Sequence, residues 1–144
     1  MISRAKDRLE AWRVETPISP SLSVAIPLLR DAADESRGEV QELWARLLAA
    51  TMDPTRTNLV RQRFVPAVRL LDPPDTRVLT ALLGRGGGVN QPERNVMATE
   101  VSMSRDEIDV SLTNVIRAEL VFEPNTQEAA LSPFGREFLR VVMD

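Results

Sequence analysis

Between Ser36 and Met52 the residues Val40, Leu43, Trp44, Leu47, Leu48 and Thr51 recur at intervals of three and four, an unbroken stripe along one side of a helix. A chain whose strongest segment carries this period must bury helix against helix. Ser36 and Glu39 fit a capping box at the start of the segment, and Asp53-Pro54 ends it. Aromatic residues make up only 4% of the chain, so the core rests on Leu, Val, Ile and Ala, which again favours helix packing over a β-sandwich.

Similar punctuation divides the remainder. Ile2, Ala5, Leu9 and Trp12 form the stripe of a short helix stopped by Pro17. Ser19-Pro20 reads as a cap followed by proline at the first helical position. It opens a helix whose Leu22, Ala25, Ile26, Leu29, Ala32 and Ala33 share a face, with Pro27 expected to kink it. A fourth helix holds Phe64, Ala67, Val68 and Leu71, with Pro66 in its first turn. Asp72-Pro73-Pro74-Asp75 is both a stop and a start. It divides an expected helical subdomain of four helices, 1–71, from a second subdomain, 72–144.

In the second part Asp72 caps a helix carrying Val78, Leu79, Leu82 and Leu83, and a glycine cluster at 84–88 follows. A short helix opens at Pro92. Ser104 and Glu107 form another capping box, ahead of Ile108, Leu112, Val115 and Ile116 on one face. The period then changes. Leu120-Val121-Phe122 and Ala129-Ala130-Leu131 suit two strands about the turn 124–127, and Ser132-Pro133 starts a last helix. Helix, helix, turn, helix, two-stranded hairpin and helix is the winged-helix order. The expected fold is therefore mainly α, an N-terminal helical hairpin or bundle packed on a winged-helix-like unit with a short two-stranded β-hairpin.

Cysteine and histidine are both absent. Disulfide, thiol and imidazole chemistry is thereby removed, and with it the usual ligands of zinc, haem and copper and the Ser-His-Asp and Cys-His devices. Neighbouring acids such as Asp34-Glu35 or Glu39 and Glu42 read as surface and helix-end charges. The glycine cluster lacks a preceding strand, a following Lys and the G-x-G-x-x-G spacing, so it reads as a flexible loop rather than a phosphate cradle. No catalytic residue, metal site or cofactor is expected, and the chain reads as non-enzymatic. No apolar run approaches the roughly 18–20 residues of a membrane span, and the charged N-terminus is unlike a secretory signal. A cytoplasmic protein without membrane contact is the expectation.

Net charge is −3, which gives no overall pull toward nucleic acid. Over residues 104–131, two arginines stand against six carboxylates. A third helix and wing bearing Asp106, Asp109, Glu123 and Glu128 would repel a phosphate backbone, and this points to a protein partner. Between Pro54 and Leu71 the sign reverses: Arg56, Arg61, Arg63 and Arg69 occur with no acidic residue. That segment suits an acidic partner or the acidic wing of a second copy, making a homo-oligomer one candidate assembly. The competing reading is a nucleic-acid-binding regulator that uses the arginine face.

Three segments taken together resemble the abortive-infection alpha family of bacterial proteins. Residues Glu42 to Pro54 are similar to its LWAxLLAxxMDP signature. Leu70-Leu71-Asp72-Pro73-Pro74-Asp75 with Val78-Leu79 resembles the next segment. Residues 112–121 and 131–139 resemble the C-terminal stretch, so that the likeness spans roughly 17–143. Relatives of this kind carry a longer N-terminal region, whereas this chain starts almost at the shared core. Their Leu-Gly pair before the wing is replaced here by Ala118-Glu119, which implies a slightly different exit from the helix. The resemblance implies a role in bacterial defence against phage and no known catalytic residues.

Overall fold

The computed structural model describes residues 1–144, and the chain is mainly helical, with eight α-helices and one small sheet. It divides into two compact units, Met1–Arg69 with Glu137–Asp144, and Leu70–Arg136. The division falls near the Asp-Pro-Pro-Asp segment, but the end of the last helix belongs with the first unit.

In the first unit α1 (Ile2–Ala11), α2 (Leu22–Ala33) and α4 (Phe64–Arg69) all contact α3 (Gly38–Met52). The stripe read from the sequence lies inside: Val40, Leu43, Trp44, Leu47, Leu48 and Thr51 are buried, and Ala45, Ala49 and Ala50 widen the buried face. Such breadth suits a helix with neighbours on several sides. Phe64 and Phe138 meet edge to face with ring centroids 5.3 Å apart.

Two local expectations fail here. Ser36 does not cap α3, which begins one residue later, after Arg37, with no side-chain cap. Glu35 covers this end instead, accepting from the Arg37 backbone N–H at 3.0 Å and from Arg37 Nε at 2.9 Å. The hydrogen bond from Arg37 holds the Glu35 carboxyl below its ordinary value, against the opposing effect of partial burial. In α2 the N-cap position is Ser21, so Pro20 precedes the helix. Its buried residues are Val24, Ala25, Leu28 and Ala32, while Leu22, Ile26 and Leu29 are exposed. The helix carries two apolar stripes, and the fold buries the one anchored by Val24 and Leu28.

The second unit runs α5 (Pro73–Gly84), β1 (Gly88–Asn90), α6 (Gln91–Glu100), α7 (Arg105–Arg117), β2 (Val121–Asn125) and β3 (Glu128–Leu131), then enters α8 (Pro133–Val142). The sheet has three strands in the order β1-β3-β2, all antiparallel, rather than the two expected. The third strand comes from the end of the glycine cluster. Gly86 and Gly87 take φ values of 78° and 100°, and this left-handed pair turns the chain so that Gly88 pairs with Ala130. A short strand flanked by glycine has too little periodicity to be seen in sequence.

The capping boxes at Asp72/Asp75 and Ser104/Glu107 are present, and Asn90/Glu93 adds another at the start of α6. Ile108, Leu112 and Val115 are buried as the stripe requires. Glu119 leaves α7 with φ of 66°, a left-handed conformation that favours glycine. Ser132 caps α8, its Oγ accepting from the Gly135 N–H at 2.9 Å. No helix is long and apolar enough to cross a membrane.

Candidate functional site

The site begins with how α5 and α7 are tied. Asp75, 3% exposed, lies in the first turn of α5. Its Oδ1 accepts from Ser111 Oγ at 2.5 Å, and its Oδ2 accepts from Asn114 Nδ2 at 2.6 Å and from the Asp72 N–H at 2.8 Å. Asn114 Nδ2 also donates to the Leu70 carbonyl at 2.9 Å. A buried carboxylate is tolerated only when its oxygens are satisfied, and this one is satisfied by groups from both helices. Asp75 therefore acts as a pin between α5 and α7.

Beside the pin is a groove of about 500 Å³. Pro74, Met103 and Val110 supply its apolar lining, while Asp72, Asp106, Glu107 and Arg117 are among its polar groups. Val110 is 70% exposed, an apolar side chain on the outward face of a helix whose other side is already packed. Of these acids, the Asp106 carboxylate has no hydrogen-bond or ionic partner, whereas the Glu107 carboxylate accepts from the Ser104 N–H at 3.2 Å.

The four acids singled out from sequence have different surroundings. Asp109 is neutralised, its Oδ1 lying 3.1 Å from Arg94 Nη1 and 3.3 Å from Arg105 Nε. Those two arginines join α6 to α7, with Arg105 also bound to the backbone and side chain of Gln91. Glu123 is exposed on β2 and unpaired, and Glu128 is half-buried on β3. Asp106 and Glu123 thus remain open, with Arg117 the exposed cation of α7.

The four arginines of residues 54–71 do not act as one set. Arg56 is engaged within its unit: Nη1 donates to the carbonyls of Val141 and Met143 at 3.0 and 2.8 Å, and Nε lies 3.2 Å from Asp53 Oδ2. Its guanidinium also lies over the Trp12 ring, 3.6 Å from the centroid. Arg69 lies 3.8 Å from Asp31 and is largely exposed. Arg63 is exposed at the entry to α4, and Arg61 is exposed with no partner for its side chain.

Asp75 and the Val110 groove were missed in sequence. In the sequence Asp75 is only part of a helix start. The available signal was Val110, an apolar residue on the polar side of an otherwise well-patterned helix. No group of three or more acidic residues converges to hold a metal ion.

These features define a mainly helical chain of two units, one of which presents an acidic helix-and-hairpin surface next to an apolar groove. The sequence matches the family model described as abortive infection alpha over residues 2–142, and the chain belongs to that family. Searches of curated proteins and of solved structures found no match to it.

Proposed function

We propose that this protein is a non-enzymatic interaction module of abortive-infection-type defence against phage in the bacterial cytoplasm. In this reading the second unit is a winged helix used to hold protein rather than DNA. Its helix-strand-helix-helix-strand-strand order supports the winged-helix reading. Family membership supports the defence role.

The observation that carries the choice of partner is the sign of the outward face. The second unit holds ten carboxylates against six arginines, a net of −4. Arg94 and Arg105 are tied to Asp109, while Asp106 and Glu123 stay open to solvent. A duplex brought to α7 and the hairpin would meet carboxylates where phosphate needs cations. A basic protein surface meets the opposite condition, and a second copy of this chain is among the partners that qualify.

A duplex-DNA titration at two salt concentrations tests the reading. The expected result is no salt-sensitive affinity. Binding that weakens with salt at a log–log slope of about −3.6, the value for about four phosphate contacts, would overturn it in favour of a regulator using the arginine segment.

A further inference from the structure

We propose that the α5–α7 groove receives Arg61 of a second copy of this chain, so that copies associate head to tail. The proposal rests on the protein-interaction reading and names the partner for its acidic face. Three observations carry it. The groove combines an apolar lining from Val110 and Met103 with acids at Asp72, Asp106 and Glu107. An occupant that satisfies both needs a methylene stem ending in a delocalised cation, which describes arginine.

The same chain supplies that chemistry. Residues 55–71 contain no acid, and Arg61 lies on the exposed stretch between the 3-10 turn Thr57–Leu59 and α4. The Arg61 side chain makes no ion pair or hydrogen bond, and nearby Leu59 is 37% exposed. An open arginine near an exposed leucine complements an open Asp106 beside an exposed Val110. The other arginines of the stretch are less available, since Arg56 is tied to backbone carbonyls and Arg69 lies near Asp31.

In the contact, the Arg61 stem crosses Val110 and the guanidinium reaches Asp106 and the free oxygen of Glu107, displacing water from both. The two surfaces are different patches, one on each unit, so the contact is heterologous. It generates a ring if the rotation closes and an open chain if it does not.

Sedimentation velocity over a concentration series, at about 50 mM and about 500 mM salt, tests this on the full chain. The variants are Arg61→Glu, Asp106→Arg and the double variant. Both residue changes fall on exposed side chains, and matching thermal transitions will show that the fold is kept. The wild type is expected to associate at low salt and to dissociate at high salt. Each single variant is expected to weaken association by about tenfold or more, and the double variant to restore it. A wild type that stays monomeric at low salt overturns the proposal, as does association that Arg61→Glu leaves unchanged. A monomer that still shows no salt-sensitive DNA affinity leaves the broader protein-interaction reading standing, so the two failures are distinguishable.

Discussion

Replacing Gly135 by alanine adds one methyl group, and the structure places that methyl 1.9 Å from the Leu120 carbonyl oxygen, 2.8 Å from its carbon and 3.1 Å from its Cα. The obstacle is backbone on both sides, so no rotamer change relieves it. Leu120 is fully buried, and its carbonyl accepts from the Ser132 N–H at 3.0 Å. Ser132 Oγ donates to the Glu119 carbonyl at 2.7 Å and accepts from the Gly135 N–H. To make room, the start of α8 must withdraw by more than about 1 Å, which breaks the Ser132–Leu120 bond. Overpacking costs about 1–3 kcal/mol even where side chains can yield, and a lost hydrogen bond adds about 1 kcal/mol. The expected destabilisation is about 3–5 kcal/mol, a large share of the stability of an ordinary domain. Urea unfolding followed by circular dichroism measures it through the midpoint, with the slope checked for constancy. Gly38→Ala is the control: nothing lies within 4 Å of its added methyl, and it opens α3. That change should be neutral or stabilising by up to about 1 kcal/mol. If Gly135→Ala costs less than about 1 kcal/mol, the close approach of α8 to the end of α7 is not as described.

Glu119→Gly should stabilise the protein by about 0.5–1 kcal/mol. It relieves a left-handed residue at φ 66°, whose cost of about 1–2 kcal/mol exceeds the added chain entropy of glycine. A loss of more than about 1 kcal/mol in the same urea assay would refute this. Asp144→Asn should flatten the acid limb of stability. The hydrogen bond from Trp12 Nε1 at 2.8 Å, helped by Arg46 and Arg8, holds the Asp144 carboxyl below its ordinary 3.8 despite partial desolvation. A carboxyl depressed in the folded state stabilises above its unfolded value and loses that contribution as pH falls through the folded one. Wild-type and variant stability should therefore differ at pH 6 and converge below 3.8, as read by thermal unfolding across that range. An unchanged gap at the lowest pH would count against the linkage.

Much of the helical framework was legible because its signals are local. The capping box at Ser104 and Glu107 joins residues three apart, and α3 announces itself by a period that any eleven-residue window contains. The candidate site was legible only in its sign. Counting charges over 104–131 revealed an acidic face, but not that Asp109 is neutralised by Arg94 from α6 while Asp106 is left open. Nor did pattern alone show that Val110 lies beside Met103 and Pro74 in a groove.

Sequence by itself determined the succession of short helices, the places where prolines and caps divide them, and the absence of imidazole and thiol chemistry. Tertiary structure decided which of two apolar stripes on α2 is buried, since both have helical spacing and only the neighbours distinguish them. It also decided that Arg56 is bound to the Val141 and Met143 carbonyls, 85 and 87 residues away, and stacked on Trp12. It turned the end of a glycine cluster into a strand by offering β3 as a partner. Caps and helical periods act over about four residues along the chain, whereas burial, pairing and neutralisation depend on groups that only folding brings together.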